Sequence, residues 1–369
     1  MRAVVVSEPG VVSVRDFPNP TPGAGEVVID VKACGFCGTD LHIFRGEYLG
    51  DYPVRPGHEA SGVVSAVGTD VADLKVGDRV AIEPNIHCGE CAMCTSGRGN
   101  FCENWRAIGV TLPGCMAEKV LAPVGQVFKI GKLSFEAAAF MEPLSCVLHG
   151  LGKLGPLEGS DVLVTGAGPI GLLILQLAKL RGARHVTVSD LRASRLELAK
   201  ELGADEVIHI VRRSPSPLGG EGRGEGYGAE STTPPPHPLP QGEGESREPP
   251  VARGPAETAF DVVVDASGSV EAIRRTVDLA RAGGRLLWFG VAPSGETFPI
   301  EPFQVFRKGL SIHSAFTSLG NSTEALALLA GGELQTDPLV SHRLPIDAFA
   351  RAAGLIESDP AVLKVMLIP

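Results

Sequence analysis

Four cysteines stand at Cys88-x2-Cys91-x2-Cys94-x7-Cys102. Four thiolates on so short an excursion can close a tetrahedral all-sulfur site, the geometry of structural zinc; with no coordination position left open, such an ion would not be catalytic. Gly89, Gly97 and Gly99 permit the tight turns this needs. A second set is dispersed: Cys37-Gly38-Thr39-Asp40-x-His42, then Gly57-His58-Glu59, then Glu142-Pro143. Together they offer a thiolate, an imidazole and carboxylates, a ligand set for a catalytic zinc that keeps a vacant position. The third is Gly166-x-Gly168-Pro169-Ile170-Gly171, directly after the apolar run Val162–Thr165 and at the head of a helical pattern. In that setting the first glycine makes the turn, the second lets backbone approach a pyrophosphate, and the third lets helix and strand pack closely. The helix start supplies free N–H groups to the phosphates. Asp190 follows about twenty residues on, where a carboxylate accepts from the adenosine ribose and repels a 2′-phosphate. NAD is therefore favoured over NADP, against which Arg192 and Arg195 stand as groups that could meet a phosphate.

These residues need positioning elements. Over 1–150, short β-branched runs (Ala3–Val6, Val11–Val14, Glu26–Val31, Gly62–Val67, Asp78–Ile82) alternate with Pro and Gly breakers, predicting an irregular all-β domain whose loops carry the chemistry. From 151 the pattern changes to strands at Asp161–Thr165, His185–Ser189, Val207–Ile210, Phe260–Asp265, Arg285–Phe289 and Ser311–Phe316. Helices at Pro169–Leu180, Ser194–Glu201 and Val270–Ala282 lie between them, with another at Thr323–Ala330. Such alternation predicts βαβ units and a parallel sheet. Residues 212–256 fit neither pattern. With 9 Gly and 10 Pro in 45 positions they read as a disordered low-complexity insertion, too poor in apolar groups to offset the entropy of ordering.

Composition narrows the function classes. The 369 residues are 44% hydrophobic and carry net charge −10, which excludes a fibrous chain and disfavours nucleic-acid or anionic-membrane binding. The longest uncharged run, the 17 residues Val162–Ala178, is broken by glycines and a proline and predicts no membrane span. No secretory leader is legible, so a cytoplasmic location is expected. There, eight cysteines point to metal or catalysis rather than disulfides. Cys115 and Cys146 read as small buried residues.

In order and spacing these motifs resemble the zinc-dependent medium-chain dehydrogenases, over the whole chain except 212–256. Glu142-Pro143-Leu144-Ser145, where alcohol dehydrogenases place a cysteine, is similar to the sorbitol and polyol branch. The resemblance implies an α/β protein: a GroES-like β-rich catalytic domain over 1–150 and 317–369, and a Rossmann domain with a doubly wound parallel sheet over 151–316. It implies Cys37 and His58 as catalytic zinc ligands, with Glu59 and Glu142 as the acidic positions, either of them bound directly or through water. Asp40 would orient His58. Thr39 would contact the substrate oxygen and His42 would relay its proton to solvent. Gly166, Gly168, Pro169, Ile170, Gly171, Asp190 and Arg195 would hold the cofactor, with Phe289-Gly290-Val291 and Ala315-Phe316-Thr317 on the nicotinamide side. NAD, two zinc ions per chain, a small polyol or secondary alcohol and a homo-oligomer, by analogy a tetramer, complete the expectation. The alternatives are L-threonine or 2,3-butanediol as substrate, or a decayed non-catalytic homologue. Relatives carry a helical crossover between the strands ending near Ile210 and beginning near Phe260, and none is legible here.

Overall fold

The computed structural model describes residues 1–48, 51–211 and 259–369; the low-complexity stretch 212–256 lies outside them. The N-terminal part runs β1 (Arg2–Glu8), β2 (Val11–Asp16), β3 (Glu26–Phe36), α1 (Gly38–Arg45), β4 (Glu59–Val67), β5 (Arg79–Ile82), β6 (Asn85–Ile86), α2 (Ala92–Thr95), β7 (Arg106–Ala107), β8 (Lys119–Pro123), β9 (Val127–Lys129), α3 (Phe135–Ala139) and α4 (Met141–Leu154). It continues with β10 (Asp161–Thr165), α5 (Pro169–Leu180), β11 (His185–Asp190), α6 (Ala193–Glu201), β12 (Glu206–His209), β13 (Phe260–Asp265), α7 (Val270–Leu279), β14 (Ala280–Trp288), α8 (Pro302–Lys308) and β15 (Ser311–Ser314). The last elements are α9 (Ser322–Gly331), β16 (Val340–Pro345), α10 (Phe349–Ser358) and β17 (Lys364–Ile368).

Two large sheets result. One has seven strands in the order β16-β17-β3-β4-β5-β9, with β8 also on β3; the chain thus returns its C-terminal strands to the N-terminal sheet. The other has six parallel strands in the order β12-β11-β10-β13-β14-β15. That is the doubly wound order of a Rossmann sheet, in which strand order reverses between β10 and β13. The alternating βα pattern predicts this sheet because each parallel connection must cross a face.

The structure departs from the sequence reading at three places. The first 150 residues are not all β: α4 occupies Met141–Leu154, across the expected boundary, with Leu144, Leu148 and Leu151 fully buried. Glu142-Pro143 and Gly150-x-Gly152 look like breakers. Yet Pro143 sits in the first turn, whose N–H groups have no intrahelical partner anyway. Gly150 is required, since a Cβ there would lie 2.8 Å from the Phe289 ring. Second, β14 begins at Ala280, so α7 is shorter than the Val270–Ala282 expected. Third, β15 stops at Ser314, leaving Ala315–Thr317 in the loop beyond its carboxyl end.

Candidate active site

Strand β3 delivers the first ligand. It ends at Phe36, and Cys37 becomes the N-cap of α1. The Cys37 sulfur accepts from Thr39 N–H at 3.5 Å, while Asp40 Oδ2 accepts from Cys37 N–H at 2.9 Å, closing a capping box. Asp40, fully buried, reaches further: Oδ1 accepts from Gly57 N–H at 3.1 Å and faces His58 Nδ1 at 3.4 Å. The turn after Gly57 carries His58 and Glu59 into the start of β4, opposite Gly35 of β3. Cys37, His58 and Glu59 each offer a ligand atom, all within 4.8 Å of one another.

This set fits a metal ion. His58 Nδ1 is buried without a hydrogen-bond partner among the described residues. Asp40 and the Cys37 sulfur hold the imidazole well above its ordinary pKa, against a burial effect that works to lower it. With Nδ1 turned to Asp40, His58 has Nε2 left for a cation, which would also offset the charge of the crowded acceptors. Because Asp40 fixes the ring, Asp40→Asn is expected to weaken zinc binding at Cys37/His58/Glu59 about 10- to 100-fold. Titration against a competing chelator checks this, and an unchanged affinity would remove Asp40 from the site.

Glu142 stands on the buried face of α4, outside that cluster. Its carboxylate accepts from the Cys146 thiol at 3.3 Å. Burial pushes it up to about 7, with Glu59 and Glu83 adding to the rise and His58 opposing it. Cys146 is half-buried rather than a core residue, whereas Cys115 is fully buried. A raised carboxyl favours its protonated form in the folded chain, so stability falls as pH climbs from the ordinary carboxyl range through 7. Glu142→Gln is therefore expected to stabilise the metal-free chain by about 3 kcal/mol at pH 8 and not at pH 4, as read by urea unfolding at both values.

On α1, Thr39 and His42 lie one turn apart, and His42 Nδ1 is 2.8 Å from the exposed Glu47 carboxylate. Two contributors carry no motif. Lys364, buried at the head of β17, donates to both oxygens of Glu59 at 2.8 and 2.7 Å. Tyr48 packs beside Trp105 and Val110, and burial raises its phenol where it also feels His58, Cys37 and Glu142. A signal for Lys364 existed only in its being a lone lysine in the apolar C-terminal run; Tyr48 offered none.

The four cysteines converge. Their sulfurs are 3.5 Å apart for Cys91–Cys94 and Cys88–Cys102, and 3.9 Å for Cys88–Cys94 and Cys91–Cys102. A tetrahedron with Zn–S of about 2.3 Å has edges of about 3.8 Å. The N–H groups of Cys88 and Asn104 donate to Cys102 Sγ, both at 3.3 Å.

The dinucleotide loop is built as its glycines require. Gly166 has φ 101, and a Cβ at Gly171 would sit 1.8 Å from Gly166 O. A Cβ at Gly168 would meet only the Arg195 guanidinium at 3.8 Å, so this face is open for phosphate, with Pro169 and Ile170 starting α5 behind it. Asp190 ends β11; its Oδ2 accepts from Ala167 N–H at 2.6 Å and its Oδ1 from Arg192 N–H at 2.8 Å. Arg195 lies beside the loop with Nε unpartnered among the described residues and one terminal nitrogen donating to Val362 O. Phe289-Gly290-Val291 and Ala315-Phe316-Thr317 follow β14 and β15 at the same carboxyl edge. Asp265, which no motif marks, ties that edge together by accepting from Thr165 and Ser267 hydroxyls and from Gly268 N–H.

Residues 23–132 match the alcohol dehydrogenase GroES-like domain family and residues 169–221 the zinc-binding dehydrogenase family. The chain is 32% identical to D-arabinitol dehydrogenase 1 of Uromyces fabae, covering 100% of this chain and 97% of that protein. It is 34% identical to D-altritol 5-dehydrogenase of Agrobacterium fabrum over 99% and 98%. This chain is a zinc-dependent medium-chain dehydrogenase of the polyol branch. The dehydrogenase is also 31% identical to L-threonine 3-dehydrogenase of Salmonella paratyphi B, covering 93% of this chain and 92% of that one. Among solved structures, a protein of Sinorhizobium meliloti 1021 described as a zinc-binding dehydrogenase, and bound to NADP, aligns with TM-score 0.84 at 34% identity, over 100% and 99% of the chains. The enzyme acts on a CH–OH group and belongs to a family that uses zinc and a nicotinamide cofactor.

Proposed function

We propose that the enzyme oxidises a secondary alcohol of a polyol to a ketose and reduces NAD. One observation carries this: α4 presents Glu142 to the charges of His58 and Glu59, and two turns further along the same helix His149 meets Thr317 at the carboxyl edge where a dinucleotide would lie. The D-arabinitol and D-altritol dehydrogenases among its relatives support a polyol. Cys37 and His58 would hold the catalytic zinc, with Glu59 the acidic group within reach of it. A zinc ion held there would supply Lewis-acid chemistry to the alcohol oxygen. Thr39 would take the alcohol proton while its own hydroxyl proton leaves toward His42, and His42 would release it to Glu47 or water. The start of α5 and the glycine loop bind the pyrophosphate. Asp190 keeps lone pairs for the adenosine ribose and would repel a 2′-phosphate, which supports NAD. Glu142 and Tyr48 offer polar partners to further substrate hydroxyls. The four cysteines would hold a second, structural zinc.

Further parts of the reading concern organisation. The catalytic domain comprises 1–150 and 317–369, around a Rossmann domain over 151–316. The chain works as a homo-oligomer in the cytoplasm. Supporting the oligomer, β15 is an edge strand, and Phe303 and Phe306 on the adjacent α8 are 64% and 80% exposed. Among the described residues no helix is long and apolar enough to cross a membrane.

The test is dinucleotide reduction across D-arabinitol, altritol, sorbitol, xylitol, 2,3-butanediol and L-threonine, with NAD and NADP, with and without a zinc chelator. Chelator-sensitive NAD reduction by polyols is expected. Turnover confined to threonine or butanediol would overturn the substrate class, turnover with NADP alone the cofactor, and no turnover by zinc-loaded protein the activity itself.

A further inference from the structure

Three consecutive residues beyond β15 are each held by a side chain from a different part of the molecule. Asn100, buried in the cysteine lobe, donates through Nδ2 to Phe316 O at 3.0 Å. His149 of α4 has Nδ1 2.7 Å from Thr317 O. Ser318 donates to the buried Glu83 at 2.8 Å. The Phe316 ring stacks on Phe101 of the same lobe, centroids 6.1 Å apart and planes at 19°. Between these ties Thr317 has φ 54, a left-handed conformation that a β-branched residue rarely takes. A free loop would relax it, so the surroundings impose it.

The place of this segment gives the shape a use. Strand order reverses between β10 and β13, and a dinucleotide lies across that switch point with its halves on opposite sides. The glycine loop after β10 takes the pyrophosphate, and Asp190 after β11 marks the adenosine side. The other nucleotide then runs over the carboxyl ends of β13, β14 and β15, and Phe316–Ser318 is the last backbone on that path. Glu142, Cys146 and His149, spaced i, i+4 and i+7, share one face of α4, so a single helix carries Glu142 and, roughly 10 Å further along its axis, the His149 that meets Thr317.

We propose that Asn100 and His149 are cofactor-positioning residues, which clamp the Phe316–Ser318 backbone into a seat for the nicotinamide ring and so couple the cysteine lobe to cofactor binding. The inference rests on the dehydrogenase reading above. Backbone groups held at fixed angles bind a planar carboxamide without the entropy of ordering the loop. Neither side chain needs to touch the ring.

The test compares NADH with ADP-ribose, which shares the adenosine diphosphate moiety and lacks the nicotinamide. Wild type, Asn100→Ala, His149→Leu and His149→Gln are titrated calorimetrically with both, and zinc content is measured. Asn100→Asp, of equal size and without the donor, replaces the alanine variant if that fails to fold. Asn100→Ala and His149→Leu are expected to weaken NADH about tenfold and to leave ADP-ribose within about twofold, the scale of one well-placed buried hydrogen bond. His149→Gln, which keeps an N–H donor, is expected to recover most of the loss, and KM for NAD to rise while KM for the alcohol holds. Equal weakening of both ligands, or unchanged NADH binding, overturns the clamp. Wild-type protein that binds neither ligand would instead overturn the dehydrogenase reading, and this inference with it.

Discussion

Replacing Lys364 by methionine is expected to cost the metal-free chain about 3–5 kcal/mol of folding stability, the scale for removing one partner of a buried ion pair. The Lys364 and Glu59 side chains are only 6% and 2% exposed. Burial alone would lower the Lys364 pKa, but the Glu59 charge prevails and holds it raised. By linkage, a raised lysine contributes its stability fully below its unfolded value, about pH 10, and loses it only as pH rises through the folded one. The pair is thus intact throughout the neutral range. Gly35 makes room for it: a Cβ there would fall 2.1 Å from Glu59 Oε2. In Lys364→Met the carboxylate stays buried without its counter-charge. Guanidinium unfolding of metal-free protein reads the cost. The double variant Glu59→Gln/Lys364→Met should regain most of it, because a neutral pair of similar size leaves no lone charge. A single variant as stable as the parent would show that Glu59 is not held by Lys364.

Lys364 also shows what could be read in the sequence and what could not. Cys37, Asp40, His58 and Glu59 lie in two short motifs, because the β3–α1 turn and the start of β4 are each local and their pairing is antiparallel. The lysine arrives from β17, and the antiparallel pairing of β17 with β3, Val365 opposite Phe36, brings it there. Such a contact is set by sheet order, which no local spacing encodes. The parallel sheet was legible because each βα unit repeats a local pattern. Helix α4 was not, since Pro143, Gly150 and Gly152 argue against a helix on propensity, and tertiary packing decides for one. The same holds for His149, an ordinary histidine until α4 sets it in line with Glu142.

The cysteine lobe yields the second large effect. From His87 to Arg98 no residue is buried, so this stretch has no hydrophobic core of its own. What gathers it is four sulfurs. Left without a cation they cannot all ionise: backbone N–H groups, that of Cys94 first, bring Cys91 down to about 6, while desolvation drives Cys94 up to about 12. An ion that binds four thiolates removes this conflict, and in small zinc domains such binding is itself the folding free energy. Cys94→Ser is therefore expected to drop the zinc content from about two ions per chain to about one. It should also open 87–98 to proteolysis at rates that leave the two sheets uncut. Metal analysis and limited proteolysis under native conditions read both effects; full zinc retention, or a lobe as resistant as the parent's, would show that packing rather than metal holds it. The consequence travels further than the lobe. Asn100 and Phe101 are anchored between Cys94 and Cys102, and they meet Phe316. Loosening the sulfur cluster frees one side of the Phe316–Ser318 segment, so NADH affinity should fall in Cys94→Ser. A zinc ion that takes no part in hydride transfer would then be required for the cofactor to sit correctly.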